Sequence, residues 1–205
     1  RMSHAAKAPH LGSALSCGDI LVALYWAVAR LDPQRPDDPG RDRIILSKGH
    51  AAAALYACLA ERGFWDQQLL DTYGRDASRL PEQMSPRCVP GIEAATGSLG
   101  HGLSLGLGMA LAGRILNLPY RVWVILSDGE CNEGSVWEAA MFAAAQRLGR
   151  VTAIVDYNRW QATGRSNDIL RLQPLEEKWR AFGWQAASVD GHDLSALLAA
   201  MCPPA

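Results

Sequence analysis

Two apolar runs constrain the fold most: "RVWVILSDG" (121–129) and "RVTAIVDYN" (150–158). Neither alternates polar with apolar residues, the pattern of a strand covered on both faces. Between them "GSVWEAAMFAAAQRLG" (134–149) sets Val136, Ala140, Phe142, Ala143 and Leu148 at helical spacing and closes on Gly149. This predicts a strand–helix–strand unit, hence neighbouring parallel strands joined by a right-handed crossover. A short strand in 42–50 ("DRIILSKGH") runs into the helix "AAAALYACLAERG". A further strand is expected at 183–191, after a short helix near 174–182 and before a last helix from Asp193. Near the start, 17–31 has the pattern of an amphipathic helix closed by the loop "DPQRPDDPG". Residues 1–205 are therefore expected to form a single α/β domain, doubly wound, with a mainly parallel sheet and helices on both faces.

Ligands of such sheets bind beyond the carboxyl ends of the strands. That edge holds "SDGECNEG" (127–134), where Asp128, Glu130 and Glu133 crowd together. Carboxylates so placed call for a cation, hydrogen-bond donors or a shared proton. Asp128 ends the first run, and Asn158 ends the second, 30 residues later. A carboxylate and an amide oxygen at neighbouring strand ends suit Mg²⁺ or Ca²⁺, completed by a carbonyl, water and phosphate oxygens. Taken singly, Asp128 serves equally as a helix cap and Asn158 as a turn residue. Gly129 leaves room for a bulky anion.

The "TGSLGHGLSLGLGMALAG" segment (96–113) is either a helix packed closely through small residues or a loop entering a helix N-terminus. It is not a dinucleotide fingerprint, because Gly113 falls five after Gly108 and no strand precedes it. His10, His50 and His101 lie near Gly or Pro turns, as packed or capping residues or as members of one pocket, whereas His4 and His192 have no such setting. A net charge of −1, with 17 Arg, three Lys and no basic block, gives no electrostatic ground for a nucleic-acid or membrane partner. No run reaches the roughly 18 residues of a spanning helix, and no signal peptide is read at the start. The five cysteines are scattered without a C-x-x-C pair, so reduced thiols and a cytoplasmic location are expected. Cys131 is a nucleophile or a bystander.

The segments "APHLGSALS", "RDRIILSKGHAAAALYACLAERG", "PGIEAATGSLGHGLSLGLGMALAG" and "SDGECNEGSVWEAAMFAAAQRLGRVTAIVDYNRWQATG" cover most of residues 9–165. Together they resemble the N-terminal, thiamine diphosphate-binding domain of transketolase, and most closely the separate N-terminal subunit of two-subunit transketolases. The family's G-D-G…N cofactor motif is present with Ser127 at its first glycine. The resemblance implies the thiamine diphosphate-binding fold in its diphosphate (PP) form. It further implies Mg²⁺, with Ca²⁺ or Mn²⁺ as substitutes, held by Asp128, the Asn158 side chain and the carbonyl of Trp160. Gly129 and His50 would lie against the diphosphate. Gly97, Ser98 and Leu99 would hold the two rings, with Asp156 and Ala162 on the thiazolium side. His10 and His50 would face the reacting carbon and the sugar hydroxyls. Glu133 would be the acid that shares a proton across the subunit interface, while Glu130, without a counterpart, is expected to be solvated.

Two departures qualify the match. The family's His-Pro pair, a substrate contact, is missing from "SRLPEQMSPRCVPGIEA", where Gln83 falls near its place. The domain is also expected to lack the family's last strand and substrate-histidine loop. The implied activity is transfer of a two-carbon ketol unit from a ketose donor to an acceptor. It would require a C-terminal, pyrimidine-binding partner subunit or domain, in a heterotetramer or a homodimer-based assembly. The alternatives are a related thiamine enzyme (deoxyxylulose phosphate synthase-like, or an acyl-transferring ketolase of secondary metabolism) and a degenerate domain that only binds a partner.

Overall fold

The computed structural model describes residues 1–86 and 88–202. Three short helices open the chain: α1 (Met2–Ala6), α2 (Leu11–Ser16) and α3 (Gly18–Ala23), the last continued by a π-helical turn over Leu24–Val28. Strand β1 (Arg43–Leu46), α4 (Ala52–Arg62), α5 (Gly102–Ile115), β2 (Val122–Ser127), α6 (Gly134–Ala145) and β3 (Val151–Asp156) follow. A two-residue hairpin, β4 (Trp160–Gln161) and β5 (Gly164–Arg165), then leads to α7 (Ser166–Ile169), α8 (Leu175–Ala181) and α9 (Leu194–Met201). Strands β1, β2 and β3 form one parallel sheet in that order.

Alternation along the strands sorts the core into two layers. Ile44, Leu46, Trp123 and Ile125 join one cluster, with Leu21 of α3, Leu55 and Leu59 of α4 and Leu197 of α9. Ile45, Val122, Val124 and Leu126 join the other, with Leu103 and Leu107 of α5, Val136 and Ala140 of α6 and Trp179 of α8. Both faces are thus covered, which is why β2 is buried at all six positions and reads as an unbroken apolar run. Each fully buried aliphatic side chain contributes about 1.5–3 kcal/mol. The parallel pairing of β2 with β3, the crossover helix α6 and the last helix, capped by the Asp193 carboxylate on the N–H groups of Ser195 and Ala196, match expectation.

Two elements differ. The helix read over 17–31 starts at Gly18, turns π-helical from Leu24 and stops at Val28, where the N–H of Ala29 bonds the carbonyl of Leu24 at 2.8 Å. The strand expected at 183–191 does not form. Its segment is not continuously apolar, and Trp184 instead stacks edge-on against Trp179 while its Nε1 donates to the carbonyl of Ala140 at 3.0 Å. Strand β3 therefore ends the sheet of described residues, and its residue Thr152 is exposed.

Glycines let α5 lie directly on the sheet. A Cβ on Gly106 would sit 2.6 Å from Val124 Cγ2, and one on Gly102 2.1 Å from Ser47 Oγ. A Cβ on Gly108 would meet nothing within 4 Å among the described residues. The two positions 106 and 108 should respond oppositely to alanine. Gly108→Ala should raise stability by about 0.5–1 kcal/mol through helix propensity, whereas Gly106→Ala should lower it by about 1–3 kcal/mol by wedging helix from strand. Denaturant midpoints of the two variants test this, and equal shifts of the same sign would refute the packing.

Candidate functional site

The register aligns Ser127 with Asp156, so Asp128 leaves β2 beside the point where β3 ends. Asp128 is fully buried. Its Oδ1 accepts from the Gly129 N–H at 2.8 Å, and its Oδ2 accepts from the Arg159 N–H at 2.9 Å and Ser166 Oγ at 2.6 Å. Asn158 Oδ1 accepts from the Trp160 N–H at 2.9 Å. Capping and turn roles are thus both present, and the same bonds clasp Asp128 against the loop that carries Asn158. A carboxylate offers about four lone-pair sites, of which three are used here. Among the described residues no three His, Cys, Asp or Glu side chains converge as a metal centre. A cation here would rest on Asp128, amide and carbonyl oxygens and the ligand's own phosphate. Ala162 lies exposed between β4 and β5, and Trp160 is 57% exposed with the Arg165 guanidinium over its ring at 4.8 Å.

Beneath this edge lies Lys48, fully buried, donating to the carbonyl of Ser13 at 3.1 Å and paired with Asp156 Oδ2. Ser16 Oγ donates to the other Asp156 oxygen at 2.7 Å. Lys48 was missed by sequence reasoning, although a lone lysine between an apolar strand and a histidine was a signal. His50 follows in a single 3₁₀ turn, its ring 5.3 Å from that of His10, which sits at φ 69° ahead of α2. Burial, then the electrostatic influence of Lys48 and of neighbouring His10, push the His50 imidazole down to about 4, against the pull of Asp156.

The third wall is the glycine turn 97–100. Gly49 and Gly97 touch backbone to backbone, since a Cβ on Gly49 would lie 2.5 Å from Gly97 N. Gly97 has φ +125°, and Gln83 Oε1 occupies the space a Cβ there would need, 1.8 Å away. Gln83 is thereby placed against this turn. Ser98 is exposed and Leu99 half-buried, and both carbonyls lie 3.2 Å from His101 Nδ1, which gives that histidine a local partner outside the His10–His50 pair.

The acidic cluster divides in an unexpected way. Glu130, expected in solvent, is fully buried and accepts from the Ser47 hydroxyl, the Gly100 N–H at 2.8 Å and the Ser127 N–H at 3.3 Å. Burial raises its pKa, and those donors and Lys48 oppose the rise. The expectation failed because two of the donors come from segments 30 and 83 residues distant in sequence. Glu133 is exposed at the start of α6, its Cβ packed on Gly100. Cys131 is buried with its thiol pushed up to about 12, chiefly by desolvation, so it is no nucleophile.

Whether a diphosphate cofactor fits can be judged from the polar atoms the fold leaves unpaired. Among the described residues the buried side-chain atoms without a partner are the Nε1 groups of Trp65, Trp123 and Trp179, and Ser13 Oγ, Thr96 Oγ1, Asn132 Oδ1 and Gln161 Nε2. The last four belong to segments bordering this edge, and Gln161, also missed by sequence reasoning, lies directly on Gly129. Buried polar atoms rarely stay unpaired, and bare backbone at Gly49, Gly97 and Gly129 permits close approach. The two hydroxyls and the Gln161 amide nitrogen can donate to an anionic ligand, whereas Asn132 Oδ1 only accepts and suits a donor or the ligand's counter-cation.

The titration of His50 has a stability consequence. The unfolded chain takes up a proton near the ordinary value of 6.5, and the folded chain only near 4. Stability should therefore fall as pH drops from 6.5 towards about 4 and level off below. In His50→Asn this part of the decline should vanish from the denaturation midpoint-versus-pH curve. An unchanged slope would exclude a depressed His50.

The thiamine diphosphate-binding domain of transketolase, as a family, matches residues 2–203. A 6-deoxy-6-sulfo-D-fructose transketolase subunit of a Clostridium species is 46% identical over 94% of this chain and 70% of its own length. An apulose-4-phosphate transketolase subunit from Phocaeicola vulgatus is 40% identical over 94% of this chain and 68% of its own. A transketolase structure from Campylobacter jejuni superposes with a TM-score of 0.91 at 27% identity, over 98% of this chain but only 32% of that protein. The chain thus spans about two thirds of these separate subunits and one third of that transketolase. It belongs to the transketolase family, as its thiamine diphosphate-binding N-terminal domain.

Proposed function

We propose that this chain is the diphosphate-binding half of a thiamine diphosphate- and Mg²⁺-dependent transketolase that moves a two-carbon ketol unit from a ketose donor to an acceptor. The observation that carries the reading is the clasp of Asp128 onto the Asn158 loop at the aligned ends of β2 and β3. Asp128, Asn158 and the Trp160 carbonyl would hold Mg²⁺, or Ca²⁺ or Mn²⁺ in its place. Gly129, Gln161 and His50 would border the diphosphate. Gly97, Ser98 and Leu99, with Asp156 and Ala162, would border the rings. The bound cofactor supplies the electron sink for carbon–carbon bond cleavage. This chain's residues orient it, and a neutral His50 beside His10 is able to accept or donate a hydrogen bond to a sugar hydroxyl.

The aminopyrimidine also needs a carboxylate and an apolar pocket, which we assign to a pyrimidine-binding partner chain. Glu133, exposed beside Gly100, faces outward where such a chain would meet it. A cytoplasmic heteromer fits the free cysteines among the described residues. Donor choice is proposed to rest partly on Gln83. Its neutral amide against Gly97 keeps hydrogen bonding but lacks the charge that strengthens contact with an anionic group. The relatives named for sulfofructose and apulose phosphate support a donor other than a common pentulose phosphate.

Calorimetric titration with thiamine diphosphate tests the metal assignment. Asp128→Ala should abolish Mg²⁺-dependent binding while the fold persists, and Asn158→Ala should weaken it less, because only the former removes a charged ligand. Equal affinity in the wild type and both variants would sink the assignment. Mixing the chain with its pyrimidine-binding partner should tighten cofactor binding and start turnover, since the two bindings are coupled. Full turnover by this chain alone would overturn the divided site.

A further inference from the structure

The opposite edge of the sheet, at the amino ends of its strands, carries a second concentration of charge. A concavity of about 500 Å³ is lined by Arg30, Pro119, Arg121, Gly149, Arg150 and Thr152. Arg121 and Arg150 immediately precede β2 and β3, and since Val122 pairs with Val151 the two arginines start neighbouring strands at the same level. Arg30 joins them through Asp42, whose N–H bonds the Arg30 carbonyl at 2.9 Å.

Each guanidinium is anchored on a backbone carbonyl. Arg30 donates to Pro119 O at 2.7 Å, Arg121 to Val28 O at 2.5 Å and Arg150 to Leu118 O at 3.0 Å. Arg121 also lies 5.1 Å from the Trp123 ring centre. Asp42 is the one carboxylate that bonds any of the three among the described residues, and its oxygens are already taken. They accept the N–H groups of Arg30 and Arg121 at 3.0 and 2.8 Å, one Arg30 nitrogen at 3.1 Å, and two Arg121 nitrogens at 3.0 and 2.7 Å. Three positive charges therefore face one saturated, fully buried negative charge. No carboxylate of the described residues pairs with Arg150. A guanidinium has five N–H donors in a planar fork. Arg150 spends one of them, Arg30 leaves its Nε and Nη1 groups unspent, and Arg121 leaves Nη1.

Like charges fixed around an open concavity repel unless an anion enters, and planar forks held in place match phosphate oxygens in pairs. We propose that this concavity is an anion site that takes a phosphate group, either inorganic phosphate or the monoester end of a small metabolite, with Thr152 as an additional hydroxyl donor. The site is independent of the cofactor reading, because it shares no residue with the carboxyl edge.

The test is an amide-resolved NMR titration of the full chain with inorganic phosphate and, separately, glycerol 3-phosphate, both at constant ionic strength. Saturable shifts are expected at Gly149, Arg150 and Thr152, weakened as sodium chloride is raised. Arg150→Gln should lower the affinity about five-fold or more, with Arg150→Lys between it and the wild type, since lysine keeps the charge but not the fork. Among the described residues the Arg150 side chain bonds only the Leu118 carbonyl, so either variant should fold. Asp128→Ala should bind phosphate here unchanged. Tighter binding of the ester assigns a metabolite as the source and equal binding assigns free phosphate, and either ranking upholds the site. Shifts confined to Gly97 and Gly129, identical shifts with chloride, or an unaltered Arg150→Gln affinity would each overturn it.

Discussion

The buried pair of Lys48 and Asp156 ties the ligand-facing edge together. Two charges removed from water cost several kcal/mol each, recovered only when geometry and further hydrogen bonds are good. Here the further bonds come from α2, through the Ser13 carbonyl and the Ser16 hydroxyl. One ion pair thus fixes the end of β1, the end of β3 and the first helices relative to one another. Shifting any of the three would leave a charge buried and unpaired. The same ammonium, beneath His50, helps keep that imidazole neutral.

Backbone proximity completes the edge. Gly49 against Gly97, Gly102 against Ser47 and Gly106 against Val124 bring the glycine turn and α5 onto the strand ends, closer than any side chain would allow. The glycines of α5 are therefore spent mostly inside the domain. Among the described residues Gly108 alone of the α5 glycines has no neighbour where a Cβ would sit, and it shares the outward face of the helix with Ser104, Leu105 and Ala112.

The sequence disclosed what local pattern controls. Continuous apolar runs marked β2 and β3, helical spacing marked α6, and Asp193 marked the start of α9. The placement of the strand ends was legible as well, because parallel pairing necessarily brings the ends of adjacent strands together, and with them Asp128 and the loop of Asn158. What was not legible depended on distant partners. Glu130 looks like a surface acid until Ser47 and Gly100 fold over it. Lys48 looks like a charge beside a histidine until Asp156, 108 residues later, arrives. Segment 183–191 had enough apolar residues to suggest a strand, yet Trp184 found a better partner in Trp179 than a ladder could offer.

Gly100 shows how interior and surface meet at this edge. Its N–H is held by buried Glu130, its carbonyl accepts from Ser135 Oγ at 2.9 Å, and exposed Glu133 packs on its Cα. Displacing the turn would strip a donor from a buried carboxylate and break the tie to α6, and leaving such a buried group unsatisfied costs about 1–3 kcal/mol. At φ +86° the position is also closed to other residues without strain. The turn that borders the ligand site is therefore rigid because a buried acid and an outward-facing acid close on one glycine, and the crowding of carboxylates after β2 is resolved by donors inside and water outside.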